Sequence, residues 1–244
     1  MSLWKVPSLF IATALFGWVA TFAFAEDAKP HTAVTPVPRE GNWVKRHESI
    51  NERAKAGDVD LLFIGDSITQ GWNDNAVWKK YYGTRKAMNA GIGGDRTQHV
   101  LWRLDNGNID GIKPKLAVLM IGTNNSNRED NSAEEIADGV KAIVAKLRAK
   151  LPETKILVLA IFPRGEKPNA QREKNAKASE LAAKVADDKM VFFQDIGKAF
   201  LTEDGTLTKE IMPDFLHLTL EGYEIWAKSI EAKVAEVVGG KPAE

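Results

Sequence analysis

Five short stretches of strand character recur along the chain, and most of them stop at glycine or small polar residues. Residues 61–64 end in Gly65-Asp66-Ser67, residues 86–90 run into Gly91-Ile92-Gly93-Gly94, and residues 116–121 end in Gly122-Thr123-Asn124-Asn125. Residues 156–162 stop at Pro163, and residues 190–193 form the fifth stretch. Apolar runs without polar alternation suit parallel strands covered on both faces. Between them the apolar period changes to three and four. Residues 43–55 carry Trp43, Val44, His47, Ile50 and Ala54 at that spacing, and residues 98–104, 133–151 and 170–187 follow the same rule. Ser132 and Glu135 form a capping box ahead of the third of these helices. Thr219 is placed to cap a last helix packed through Tyr223, Ile225, Trp226, Ile230 and Val234. Strand alternating with helix predicts one α/β domain over residues 42–240, a three-layer α/β/α sandwich on a five-stranded parallel sheet. Trp72, Trp78, Tyr81 and Tyr82 read first as packing aromatics and second as the wall of a cleft.

The strand ends carry the candidate chemistry. A turn after residues 61–64 places Ser67 at the carboxyl edge of the sheet, where open α/β sheets bind ligands. There the Ser67 N–H opens a helix and faces any negative charge formed beside it. The competing reading is an Asp66 or Ser67 cap on an ordinary strand-to-helix turn. The glycine-dense turn at 91–94 is neither a dinucleotide fingerprint nor a P-loop. It offers a bare backbone N–H to an oxyanion, or it is a tight turn. Asn124 offers a side-chain amide at the third strand end, or a cap for the following helix. Asp214 stands three residues before His217, a spacing that lets a carboxylate accept from the imidazole and fix its tautomer. Alone this spacing reads first as a structural hydrogen bond. Together with Ser67 it makes a triad in the order Ser67, Asp214, His217.

Charge and composition remove several alternatives. With 33 basic and 33 acidic residues there is no electrostatic footprint for nucleic acid. With no cysteine there is no thiolate nucleophile, disulfide framework or cysteine-ligated metal. Asp66, Asn89, Asn124 and His217 suggest a metal-dependent phosphoesterase only if the usual ligand motifs are set aside, so no metal and no cofactor is expected. Lys5 precedes an uncharged apolar segment that ends in Ala23-Phe24-Ala25, the pattern of a secretory signal cleaved near Ala25. Residues 1–25 are therefore expected to direct export to the periplasm or medium, with an uncleaved anchor as the alternative. Residues 26–41 carry Pro30, Pro36 and Pro38 and read as an extended linker or N-terminal arm.

Gly65-Asp66-Ser67-Ile68, Gly91-Ile92-Gly93-Gly94-Asp95, Gly122-Thr123-Asn124-Asn125 and Asp214-Phe215-Leu216-His217 together resemble the four blocks of the GDSL or SGNH esterases and lipases. Residues 99–104 and 163–169 add a likeness to the catalytic subunits of intracellular platelet-activating factor acetylhydrolase. The resemblance implies a flavodoxin-like SGNH hydrolase fold with Ser67 as nucleophile and Asp214 and His217 as orienting acid and base. It also implies an oxyanion hole made by the Ser67 N–H, the Gly94 N–H and the Asn124 amide. Ile68, Thr123 and Leu216 flank these residues and are the candidates for an acyl pocket suited to short chains. Ile68 replaces the usual leucine, the 126–131 loop is longer and more charged, and the signal segment is an addition.

The function expected is an exported serine esterase cleaving short-chain acyl esters, acetyl esters above all, through an acyl-enzyme on Ser67. A carbohydrate O-acetyl esterase acting on acetylated polysaccharide is the alternative within esterases, and a non-catalytic secreted binding domain the alternative outside them. The expected partner is a small-molecule or polysaccharide-linked ester, with no nucleic acid and no stable membrane span once the signal is removed. The family also admits a homodimer.

Overall fold

The strand stretches form β1 (Leu61–Gly65), β2 (Ala87–Gly91), β3 (Leu116–Met120), β4 (Lys155–Leu159) and β5 (Val191–Gln194) in the computed structural model, which describes residues 1, 30–73, 75–128 and 130–242. All pairings are parallel and the order is β2-β1-β3-β4-β5. Apart from Met1, the expected signal segment lies outside the described residues.

Side chains along a strand alternate between faces, so an unbroken apolar run feeds two cores. Leu62, Ile64, Ala117, Leu119, Ile156 and Val158 join one core, which takes the apolar faces of α1 (Asn42–Lys55), α4 (Thr97–Asp105) and α5 (Ala133–Lys150). The end of α6 (Ala170–Ala182) packs on the same side. Leu61, Phe63, Leu116, Val118, Met120, Leu157 and Leu159 join the other core, against α3 (Ala76–Tyr82) and α7 (Leu220–Val238). Trp72 and Tyr82 are fully buried there and Tyr81 nearly so, so the aromatics of this stretch serve the core. The sheet is the middle of three layers, as the alternation predicts.

The boundaries differ from expectation where hydrogen bonds outrank hydropathy. The run at 156–162 leaves the ladder after Leu159, but its chain stays buried because the Ile161 N–H donates to Ser179 Oγ at 2.9 Å. The helix expected to reach 187 stops at Ala182 and continues as a 3₁₀ turn over Ala183–Val185. Asp187 then accepts the Val191, Lys189 and Met190 N–H groups, which hold its carboxyl down to about 2 and aim the chain into β5. Residues 30–41 form a largely exposed arm that is tied to the domain at two points. A 3₁₀ turn at Thr32–Val34 buries Ala33, whose carbonyl accepts from Thr97 Oγ1 at 2.7 Å, and the Val37 N–H donates to the Gln98 carbonyl. Among the described residues no helix is long and apolar enough to cross a membrane.

Candidate active site

In this strand order the chain reverses direction across the sheet between β1 and β3, and ligands of such sheets bind at the carboxyl ends flanking that point. Ser67 follows β1, Gly94 follows β2 and Asn124 follows β3, so the topology gathers three distant stretches at one edge. Gly65 lets the strands close up there. A Cβ on Gly65 would lie 2.4 Å from the Met120 carbonyl oxygen, a space no side chain fits.

Ser67 opens a single turn of helix, α2 (Ser67–Gln70), capped by the Asp66 carboxylate through the Ile68 N–H at 3.0 Å. The cap and the strand-end serine are thus two features of one turn. Ser67 Oγ lies 2.9 Å from His217 Nε2, and His217 Nδ1 lies 2.6 Å from Asp214 Oδ2. A carboxylate at Nδ1 requires the proton there, which leaves Nε2 to accept from the serine hydroxyl. The turn that presents this pair is strained: Phe215, between them, adopts φ 59°, a left-handed conformation that costs a bulky residue roughly 1–2 kcal/mol. In return Asp214 Oδ1 collects the His217 N–H at 2.7 Å and the Leu216 N–H at 3.1 Å. Partial burial works to raise the Asp214 carboxyl, but the bonds from the His217 amide, its imidazole and the Leu216 amide outweigh it and hold the group below the usual carboxylate range. The pair is open to solvent, with side-chain exposures of 46% for His217 and 55% for Asp214.

Three donors face the same edge. Among the described residues neither the Ser67 nor the Gly94 N–H donates to a protein acceptor. Gly94 takes φ +76°, and a Cβ there would stand 3.0 Å from the Arg39 guanidinium. One Asn124 Nδ2–H donates to the Asp95 carbonyl at 2.9 Å, which fixes the amide and leaves its second N–H for a substrate oxygen. A hydroxyl within hydrogen-bond distance of an imidazole that a carboxylate orients is the pairing that nucleophilic catalysis needs.

A model of the GDSL-like lipase/acylhydrolase family matches residues 63–225. The chain belongs to this family. As an acylhydrolase it is a carboxylic ester hydrolase. The Homo sapiens platelet-activating factor acetylhydrolase IB subunit alpha2 is 40% identical to it over 219 residues, 89% of this chain and 93% of that protein. Among solved structures, a GDSL-like lipase from Bacteroides thetaiotaomicron matches with a TM-score of 0.59 and 21% identity, over 79% of this chain and 97% of its own. A carbohydrate acetylesterase from Sinorhizobium meliloti matches with a TM-score of 0.55 and 21% identity, over 73% and 99%. These two show the shared fold.

The remaining candidate residues of the acylhydrolase are spread unevenly. Ile68 and Thr123 are each 1% exposed, because the helix turn after Ser67 directs Ile68 into the core and Thr123 lies beneath Arg164. Of the three acyl-pocket candidates only Leu216 has accessible surface. Asn89 is spent at the sheet edge, where its Oδ1 accepts the Gly91 N–H and its Nδ2 donates to Asn73.

Sequence reasoning missed the support beneath the donors. Asp95 is fully buried and receives Trp43 Nε1 at 2.6 Å and Arg103 Nε at 2.7 Å. Arg103, also fully buried, donates further to the carbonyls of Ala90 and Gly65 and to Asn108 Oδ1. The charges at 95 and 103, eight residues apart on the two sides of a helix start, were the available signal.

Asp66 carries a separate consequence. Its Oδ2 has no hydrogen-bond partner among the described residues. Burial pushes its carboxyl up to about 7, against the pull of the Ile68 N–H and with a push from Asp95. A folded value above the unfolded one means that the native state holds the proton longer, so this group's stabilisation is full below about pH 4 and is lost as pH rises through about 7. Asp66→Asn keeps an acceptor for Ile68 and cannot ionise. Between pH 5 and 8 the variant is expected to gain about 3 kcal/mol on the parent, measured by urea unfolding at both values. An equal gap at the two pH values would refute the shift.

Proposed function

We propose that this acylhydrolase is a serine esterase that cleaves short-chain acyl esters, acetyl esters above all, through an acyl-enzyme on Ser67. The observation that carries the reading is the unbroken relay from Ser67 Oγ to His217 Nε2 and from His217 Nδ1 to Asp214. His217 takes the hydroxyl proton as Oγ attacks the ester carbonyl, and the oxyanion forms among the Ser67 N–H, the Gly94 N–H and the Asn124 amide. Collapse expels the alcohol, to which His217 returns the proton. Water then enters, gives its proton to His217 and releases the acid from Ser67.

Two observations support a short acyl group. Ile68 and Thr123, next in sequence to Ser67 and Asn124, are buried, so neither opens a deep channel for a long chain. The 40% identical human relative is named an acetylhydrolase. A carbohydrate O-acetyl ester is the second reading, favoured by the shared fold of the Sinorhizobium meliloti carbohydrate acetylesterase and by the expected export. Export itself rests on residues 1–25, and a mature N terminus at Glu26 is its expected mark.

An organophosphonate serine-hydrolase probe tests the mechanism, and 4-nitrophenyl esters test the chain length. One adduct on Ser67 by mass spectrometry is expected, with faster turnover of acetyl than of octanoyl ester. An adduct elsewhere would remove Ser67 from the mechanism, and a preference for octanoyl would refute the short acyl pocket.

A further inference from the structure

We propose that Arg164, in the loop after β4, is a positioning residue for the esterase reaction: it holds the loop that presents Asn124 in register with the turn that presents Asp214 and His217. The inference rests on the esterase reading above and on Asn124 as a donor within it. Asn124 and His217 stand on loops far apart in the chain, and the oxyanion and leaving oxygen of one ester must meet them together. On the side of β2 the Asn124 amide is fixed by the Asp95 carbonyl. On the side of β4 its neighbours are fixed by Arg164, whose Nη1 donates to Asn127 Oδ1 at 3.0 Å and to the Thr123 carbonyl and Oγ1 at 3.3 Å each. Gln171, near the start of α6, closes the same loop, its Nε2 donating to Ser126 Oγ and Asn127 Oδ1 at 3.0 Å each.

The other half of the brace is backbone. The Gly165 N–H donates to the Phe215 carbonyl at 2.8 Å. Apart from the bond between Ser67 and His217, this is the one hydrogen bond among the described residues that ties residues 213–218 to a distant part of the chain. Phe215 is the left-handed residue between the acid and the base, so the tie grips that turn at its strained point. The stretch between the two contacts is itself pinned. The Arg164 carbonyl accepts from Asn169 Nδ2 at 3.1 Å and from Arg172 Nε at 3.2 Å, and Arg172 also bonds the Gly165 and Gly205 carbonyls. Half burial lowers the Arg164 guanidinium against the pull of the Asp66 and Asp214 carboxylates, which places its charge within reach of both the Ser67 turn and the His217 turn. Arg164 therefore makes its side-chain bonds on one loop while its backbone is locked to the other, and removing the side chain frees the Asn124 loop on its β4 side.

A double-variant cycle with Asn124 tests this, reading kcat and KM for 4-nitrophenyl acetate on folded protein. Arg164→Gln is expected to lower kcat about tenfold with KM within about twofold, a part of the roughly 10²- to 10³-fold loss expected when Asn124→Ala removes the donor itself. In the Asn124→Ala background the same substitution should cost less than about twofold, because no amide is left to misplace. Arg164→Lys keeps a donor on a shorter side chain and should fall between the parent and the glutamine variant. Asn127→Ala removes the acceptor at 3.0 Å, should repeat the pattern with a smaller loss, and serves if Arg164→Gln does not fold. A kcat within about twofold of the parent, a loss carried by KM, or losses that multiply in the double variant would overturn the positioning role, while an active parent enzyme upholds the esterase reading. Full activity in Asn124→Ala overturns the inference and removes Asn124 from the mechanism, with a Ser67 adduct still upholding the esterase. No turnover by the parent overturns both.

Discussion

Replacing Ser67 with alanine is expected to lower kcat for 4-nitrophenyl acetate by about 10⁴- to 10⁶-fold and to leave the fold in place. The side chain's one hydrogen bond among the described residues is to His217 Nε2, and alanine is a good residue for the first turn of a helix. The cap on α2 comes from Asp66 and survives the change. His217→Ala should cost a similar factor, and the double variant little more, because residues acting as one relay are not additive. The residue of activity would come from the proposed oxyanion donors and from substrate binding. Turnover within tenfold of the parent, measured on protein with an unchanged melting temperature, would break the relay's claim on the reaction.

The sheet was legible because its strands are buried on both faces and so carry unbroken apolar runs, as in Leu61–Gly65 and Leu116–Met120. The helix after Ser132 was legible through its capping box, which forms as written, with Glu135 N–H donating to Ser132 Oγ and Ser132 N–H to Glu135 Oε2. Strand ends that stop at glycine and a polar residue marked the carboxyl edge of the sheet, where β1, β2 and β3 deliver Ser67, Gly94 and Asn124. Ile68 and Thr123 show the limit of that logic. Adjacency in sequence to Ser67 and Asn124 suggested adjacency to substrate, but one step along a helix turns a side chain by about 100°, and Ile68 faces the core. The anchoring of the arm at 30–41 was out of reach for a similar reason. Its prolines signal extended backbone, and nothing local says that Ala33 and Val37 will bond to Thr97 and Gln98 far along the chain.

Arg103 shows how much of a site lies out of reach of local pattern. In the sequence it is a charge inside an apolar helix; in the structure its fork joins the carbonyl ends of β1 and β2, at Gly65 and Ala90, to the Asp95 carboxylate. Burial opposes charge on both partners, raising the Asp95 carboxyl and lowering the Arg103 guanidinium. Their mutual attraction, with Trp43 and Arg39 on the carboxylate, pulls back against it. Asp95 in turn holds the Asn124 amide through its carbonyl, so the support of the strand ends and the aim of that amide meet in one residue.

Arg103→Ala is accordingly expected to cost about 3–5 kcal/mol, the usual penalty for leaving one member of a buried ion pair without its partner. The loss removes the Arg103 hydrogen bonds of the Asp95 carboxylate, of the Gly65 and Ala90 carbonyls and of Asn108 Oδ1, and opens a cavity where a fully buried side chain stood. For a domain whose whole stability is about 5–15 kcal/mol, this is a large share. Arg103→Lys should recover only part of it, since an ammonium is a point donor and cannot span acceptors on β1, β2 and Asp95 in one plane. Urea unfolding followed by tryptophan fluorescence gives the loss directly, and turnover per folded molecule gives the second readout. If Arg103 also aims Asn124 through Asp95, folded Arg103→Lys enzyme should lose kcat with little change in KM, as an oxyanion donor slips out of line. A stability change under 1 kcal/mol would show that water or neighbouring donors satisfy the stranded groups. An unchanged kcat in the lysine variant would confine Arg103 to the fold.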